Sequence, residues 1–445
     1  MCTEKLLTHL TDKLGSRQRL LVAFSGGIDS TALLHLLVNM RELSHSSRQL
    51  RAVHIHHGLS RFSDDWMYHC QRCCKQWQVP LEVIHVNLDT RQRGGIEAVA
   101  RKARYQALGD IMSDGEVLLT AQHQNDQCET LLLALKRGSG PAGLSSMAEC
   151  RAFFNGEHLR PLLEISRYEL ERYASRHHLP WVEDNSNQDE RFDRNFLRHS
   201  VLPPLLKRWP HFADTTARSA SLCAEQEQLL DELLHESLKT VTSNDNSICI
   251  TGLLAMSSVK RFALLRRWIA CCGALMPGRD QLQLLWHEVA LCRRKDAQPR
   301  MQLGRWQVRR YRQRLYVLPV LKSLRGCVLP WDTNNPLLLP DGLGKLCFTD
   351  LCFTGSGTRI RAPVTDEQIS VRFSTEGNVN IVGRHHARQI KKLWQELAVP
   401  PWQRGRIPLL FYDNQLITAP GLFVTWQGQA EAGKPECQLY WEKCC

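Results

Sequence analysis

The sequence predicts an α/β fold, a doubly wound parallel sheet of the nucleotide-binding kind, followed by a helical middle domain and a small α+β domain. Three observations carry this. From Arg19 to about Val182, short apolar runs alternate with longer helical patterns, as in a sheet built from βαβ units. Within that stretch, LLVAFSGGIDSTALLHLL sets a glycine-rich turn between an apolar run and a helical pattern. Past Leu202-Pro203-Pro204 the alternation stops and a long helical period replaces it.

The spacing predicts strands over 20–24, 50–55, 81–86 and 117–121, and helices over 30–41, 63–77, 96–112 and 126–136 with apolar residues three to four apart. A second domain opens with an amphipathic helix over 212–240 and continues with helices near 256–272 and 279–295. Around MQLGRWQVRRYRQRLYVLP the pattern is that of a hairpin. The Pro- and Gly-rich segment 326–343 reads as a linker or irregular entry to a third unit. From about 368 that unit carries a strand (ISVRF), a helix ending at Pro400-Pro401 and strands within PLLFYDNQLITAPGLFV. The expected domains are therefore 1–211, 212–325 and 326–445.

A chain of 445 residues is long enough for two or three cores. Its 57 Lys and Arg against 45 Asp and Glu leave +12, which favours a polyanionic partner such as nucleic acid over an acidic protein surface. No apolar stretch reaches the roughly 18–20 residues of a membrane span, and MCTEKLLTHLTDKL lacks a signal-peptide core, so the cytoplasm is the expected location. The 17 cysteines are odd in number and several lie in helical patterns, so reduced thiols are expected.

An apolar strand running into Ser25-Gly26-Gly27-Ile28-Asp29-Ser30 and then a helix presents amides and hydroxyls at a positive helix N-terminus. The glycines allow close approach of an anion. Asp29, a poor partner for phosphate, suits the magnesium ion that accompanies ATP. A plain strand-to-helix turn with a polar cap is the alternative for a lone Gly-Gly. The Gly-Lys-Ser/Thr ending of a Walker loop is missing, which argues against transfer of the γ-phosphate. The hexapeptide instead resembles the SGGxDS loop of the N-type ATP pyrophosphatases (PP-loop proteins, Rossmann-like), which split ATP between the α and β phosphates and adenylate a substrate.

IHHGLS (55–60), IEAVARKARY (96–105), TAQHQNDQCET (120–130), KRGSGPAGLSSM (136–147) and WVEDNSNQDERFDRNFLRHSVLP (181–203) follow in order. With IKKLWQELAVPPWQRGRIPLLFY (390–412) they make nearly the whole chain similar to the tRNA(Ile)-lysidine synthetases, in the longer bacterial form with two C-terminal domains. The resemblance implies ATP and free L-lysine as co-substrates and a minor isoleucine tRNA with a CAU anticodon as partner, the oligomeric state being open between monomer and homodimer. Its wobble cytidine would become lysidine, switching decoding from AUG to AUA. The cytosine position-2 oxygen attacks the α-phosphate and pyrophosphate leaves. The lysine side-chain amine then displaces AMP from the position-2 carbon and gives up a proton.

Asp126 and Glu129 lie three apart at the start of a predicted helix and share a face able to hold an ammonium group. By similarity they recognise lysine; taken alone, they would complement the helix dipole. The commoner family pattern here is His-His-x-Asp-Asp, so Gln122 and Asn125 replace titratable residues. By similarity Arg101 or its neighbour Arg104 contacts the phosphates or the activated base. Arg194, Asn195 and Arg198 would clamp tRNA or nucleotide phosphate. His54, His56 and His57 fall at a strand end, where open α/β sheets place ligands.

Cys70, Cys73 and Cys74 sit in a helical pattern without a second pair at zinc spacing, so packing is their expected role. They also define the nearest rival, a tRNA 2-thiocytidine synthase of the same superfamily, which generally needs two separated cysteine pairs. A non-catalytic RNA-binding adaptor is the other alternative. KRFALLRRW (260–268), CRRK (292–295) and RWQVRRYRQR (305–314) interleave cations with aromatics, a composition suited to a phosphate backbone and exposed bases.

Overall fold

A computed structural model describes residues 3–44, 48–58, 60–86, 96–292, 298–349 and 357–443. Leu59 of IHHGLS and Arg293, Arg294 and Lys295 of CRRK lie outside them. The chain divides into two compact units, Met1–His235 and Glu236–Cys445.

The first unit runs α1 (Thr3–Leu14), β1 (Arg19–Ala23), α2 (Ile28–Ser44), β2 (Gln49–His56), α3 (Ser63–Gln76), β3 (Leu81–His85), α4 (Ile96–Asp110), β4 (Val117–Leu119), α5 (Gln124–Lys136) and α6 (Pro141–Leu144). It continues with β5 (Cys150–Phe153), β6 (Gly156–Leu159), α7 (Arg167–Arg176), α8 (Asp193–Phe196), α9 (Leu202–Arg208) and α10 (Phe212–Val241). The six strands are ordered β3-β2-β1-β4-β6-β5. β1 pairs in parallel with β2 on one side and β4 on the other, so the order reverses between β1 and β4. Ligands of open α/β sheets bind at such a switch point, beyond the strands' C-terminal ends.

Helices cover both faces, as a doubly wound sheet requires. Leu6 and Leu10 of α1, Leu33 and Leu37 of α2, Cys70 and Cys73 of α3, and Leu170 of α7 pack with Leu20, Val22 and Leu119 on one face. Leu108 of α4 packs with Leu21, Val53, Leu118 and Phe153 on the other. One strand departs from the parallel expectation: β5 is antiparallel to β6 at the sheet edge. The two-residue turn Phe154-Asn155 joins them, with Phe154 at φ +48. Gly156 follows because a Cβ there would stand 2.0 Å from the Glu116 carbonyl oxygen. Asn155 is the second turn residue and Gly156 the first residue of β6.

The division between the two units falls inside α10, whose first turn packs Ala213 with Cys128 and Leu202 of the first unit. In the second unit the predicted hairpin pairs Trp306–Tyr311 with Arg314–Pro319. The stretch read as a linker supplies two short strands, Val328–Pro330 and Leu337–Leu338, to antiparallel sheets. The helix expected to end at Pro400-Pro401 stops at Glu396, and a new turn starts on Pro401, where the absent N–H costs nothing. Much of the basic character there is structural. Trp268 is 1 % exposed and donates to Asn246 O (2.7 Å), and Arg310 donates to the carbonyls of Ala290 (2.8 Å) and Cys292 (2.7 Å). Trp402 packs on Tyr316, ring centroids 5.0 Å apart, with the Arg309 guanidinium 5.5 Å from its own ring.

The cysteines of α3 are buried. Burial raises all three thiols, Cys74 to about 12, which removes the thiolate that redox or metal chemistry needs. Replacing Cys73 and Cys74 together by Ala is expected to lower unfolding stability by about 1–3 kcal/mol in a denaturant titration while ATP turnover survives.

Candidate active site

The turn after β1 holds its shape through its own hydroxyls. Ser25 Oγ and Ser30 Oγ lie 3.0 Å apart, and Ser30 Oγ donates to Gly27 O (3.0 Å). Gly26 adopts φ +83, and a Cβ there would meet Cys70 Sγ at 3.0 Å and Val182 Cγ2 at 3.1 Å. Only glycine meets both demands without strain. α2 starts at Ile28, so its free amides face the same space as the Asp29 carboxylate.

Asp29 Oδ2 is 3.7 Å from His123 Nε2 and 3.8 Å from Arg167 Nη1. Burial opposes its ionisation, but His123, Arg167 and Arg198 outweigh that and hold its pKa below the usual carboxylate range. Its Oδ1 is buried without a hydrogen-bond partner. An ionised carboxylate with an uncommitted oxygen fits a hard divalent cation.

His123, the residue before α5, is 1 % exposed, and neither ring nitrogen has a hydrogen-bond partner. Its Nε2 stands 3.5 Å from Asp126 Oδ2. Burial works against the imidazolium, yet Asp126 and Asp29 raise its pKa above the ordinary value. It thus links the nucleotide loop to the carboxylates of α5. Sequence reasoning passed over both His123 and Arg167; the available signal was a histidine just before a predicted helix with an acid three residues on.

The structure brings Asp126 and Glu129 together, and it brings Arg198 and Arg194 to them. Arg198 Nε donates to Glu129 Oε1 (2.7 Å), and its Nη2 donates to Glu129 Oε2 and Asp126 Oδ1 (both 3.0 Å). Arg194 Nε lies 3.3 Å from Glu129 Oε2, and its Nη2 donates to Thr130 Oγ1 (3.0 Å). Glu129 is fully buried. Burial raises its pKa, and Arg198 only partly reverses that against the neighbouring Asp126. The expected phosphate clamp is therefore turned inward here. Asn195 is also buried, its Nδ2 donating to Asp189 O (3.0 Å).

Asn125 accepts from the Arg167 amide (3.1 Å) and so caps α7. Gln127 clamps Met147 with both ends of its amide (2.9 Å each), joining TAQHQNDQCET to KRGSGPAGLSSM. Gln122 accepts from Thr120 Oγ1. On α4, Arg101 lies over the Tyr105 ring, 5.0 Å from its centroid, whereas Arg104 Nε donates to His57 Nε2 (3.1 Å). His54 binds the Phe24 carbonyl (3.0 Å) and His56 faces Asp64 (3.1 Å).

This sheet order, with a glycine-rich loop and an ionised aspartate at the switch point, defines an ATP-using enzyme of the PP-loop class. Residues 2–205 match the PP-loop domain family, 248–316 a TilS substrate binding domain and 369–441 a TilS substrate C-terminal domain. The chain is 57% identical over 444 residues, all of its length and 99% of the relative's, to tRNA(Ile)-lysidine synthase of Edwardsiella ictaluri. It is 56% identical to the enzyme of Serratia proteamaculans, with all of both chains covered, and 53% to that of Photorhabdus laumondii, covering 99% and 98%. The chain belongs to the tRNA(Ile)-lysidine synthase family.

Removing Arg198 leaves a buried carboxylate short of donors. Arg198→Ala is expected to lower stability by roughly 2–3 kcal/mol in chemical denaturation, and Arg198→Lys, which keeps charge but not the two-nitrogen fork, to recover part of it.

Proposed function

We propose that this chain ligates lysine to the wobble cytidine of a CAU-anticodon isoleucine tRNA, converting ATP to AMP and pyrophosphate, with the two half-reactions run from the two ends of one charge cluster. The observation that carries this is His123 standing 3.7 Å from Asp29 and 3.5 Å from Asp126, which puts the phosphate loop and the α5 carboxylates in a single site.

Ser25 to Ser30 cradles the ATP phosphates, and Asp29 holds Mg2+, which neutralises phosphate charge when bound. Arg101, resting on Tyr105, offers its guanidinium to the phosphates or the activated base. The cytosine position-2 oxygen attacks the α-phosphorus, the bond to the bridging oxygen breaks, and pyrophosphate departs with that electron pair. Phosphorylation turns a poor leaving group into a good one. The lysine amine then attacks the position-2 carbon, AMP leaves, and the nitrogen loses its proton.

Asp126 and Glu129 hold lysine, sharing their oxygens with Arg198; Asp126 Oδ2 also accepts from the His123 amide (3.0 Å). Arg194, about one-third exposed, faces tRNA phosphate, and Arg198 and Asn195 act behind it by ordering the carboxylates and the 189 turn. Both alternatives fit less well: the α3 thiols are buried and protonated, and an adaptor needs no ionised Asp29 with an open oxygen.

Lysine-dependent AMP release from ATP with tRNA(Ile) transcript tests the reaction; no release with folded protein would overturn it. Asp29→Ala is expected to abolish pyrophosphate release, by at least about 1,000-fold, while tRNA affinity measured by filter binding stays within about twofold. Asp126→Asn is expected to raise the KM for lysine at least about tenfold and leave pyrophosphate release from ATP and tRNA nearly intact.

A further inference from the structure

Behind β4 and β6, on the face covered by α4, lies a buried polar chain that the scheme above does not use. Arg160 is 4 % exposed and Arg151, Tyr105 and His158 surround it, with no carboxylate salt-bridged to it among the described residues. Its Nη1 donates to Ala148 O (2.6 Å), and its Nη2 meets His158 Nδ1 at 3.2 Å. His158, fully buried, has its Nε2 2.7 Å from Thr120 Oγ1, and Thr120 in turn reaches Gln122 Oε1.

The direction of every bond in this chain is fixed. A guanidinium only donates, so His158 Nδ1 must accept, and the ring is neutral with its proton on Nε2. Burial and the charges of Arg160, Arg151 and Arg101 favour the same state, lowering the His158 pKa to about 3. The Nε2 proton is given to Thr120 Oγ1, which leaves the single hydroxyl proton of Thr120 for Gln122. Gln122 turns its carbonyl oxygen toward that hydroxyl, inward, and its NH2 outward. That NH2 has no partner among the described residues, and the side chain is only half-buried.

Gln122 follows the C-terminal end of β4, the neighbour of β1 in the sheet, and its partner chain through His158 packs against Tyr105 of α4, the ring that Arg101 covers. Resting on the adenylation role proposed for this edge of the sheet, we infer that Gln122 is a preset hydrogen-bond donor to an oxygen of the group being adenylated, with Thr120, His158 and Arg160 as its positioning residues. The acceptor is either a phosphate oxygen of ATP or the cytosine position-2 oxygen. A phosphate oxygen gains negative charge as the new P–O bond forms, and a donor that needs no reorganisation acts on that change; on the cytosine oxygen, which gives up electron density, the same donor would act by orienting the nucleophile. A neutral amide also takes no proton as a general base, so the role of Gln122 toward substrate is that of a donor.

The test is the rate of pyrophosphate release from ATP and tRNA(Ile) transcript without lysine, on full-length protein, for Gln122→Glu, Gln122→Ala, Thr120→Val and Thr120→Ser. Both Gln122 variants should lose about 100-fold in kcat with the melting temperature and the KM for lysine unchanged. Thr120→Val, which frees the amide to turn over, should lose about tenfold, and Thr120→Ser, which keeps the hydroxyl, should retain the wild-type rate. A weakened Kd for a non-hydrolysable ATP analogue in Gln122→Ala identifies phosphate as the acceptor, and a raised KM for tRNA at unchanged analogue Kd identifies the cytosine. Wild-type rates in both Gln122 variants, or equal losses in Thr120→Val and Thr120→Ser, overturn the inference. Absence of pyrophosphate release from the unsubstituted protein would instead overturn the adenylation reading itself.

Discussion

A buried and a partly buried carboxylate packed against two guanidiniums and one imidazole are the constraint around which the first unit is arranged. Glu129 is fully buried, and a lone carboxylate there would be costly, so Arg198 and Arg194 must reach it from a segment about 70 residues further on. That requirement fixes the path of 189–201 over α5. His123 extends the same cluster to Asp29 on the other side of the sheet's switch point. The helix α5 and the phosphate loop are thereby coupled by charge as well as by the pairing of β1 with β4.

The arrangement also explains why one fold can host two chemical steps. A nucleotide loop needs amides, hydroxyls and one ionised acid, all of which lie within a single strand–turn–helix. The proposed amine site needs carboxylates close by, and here Arg198 and Arg194 reach Glu129, whose pKa burial still raises. Because both sets of acids share His123, a change in charge at one is felt at the other through a low-dielectric interior. The second unit contributes a different physical property. Its aromatic and guanidinium contacts at Trp402, Tyr316 and Arg309 hold the region 306–319 against the C-terminal helical turn, so part of its positive charge is structural rather than offered to a ligand.

Local signals were read well. Strand β1, the loop and α2 were legible because hydrophobic period, glycines and cap chemistry agree within 25 residues. The β5–β6 hairpin turns on Phe154-Asn155, a pair with no strong turn signal, inside a stretch whose alternation has the parallel pattern. The strands within 326–343, expected as a linker or irregular entry, are two or three residues long and pair with distant partners such as Ile369–Arg372, which no local pattern reveals.

By itself the sequence determined the fold class, the phosphate loop with Asp29, the acids Asp126 and Glu129 on one helical face, and the family, since each depends on residues close in the chain or on ordered motifs. Only the tertiary structure decided what those residues face. It gave Arg198 and Asn195 partners within the protein, and it placed His123 between Asp29 and Asp126. It also committed Asn125 to capping α7 and Gln122 to a chain leading back to Arg160. The reason is that a buried polar group must find its complement wherever the fold brings one, and for Arg198, Asn125, Thr120 and the Asp29–His123 pair that complement lies tens of residues away, beyond the reach of any periodicity.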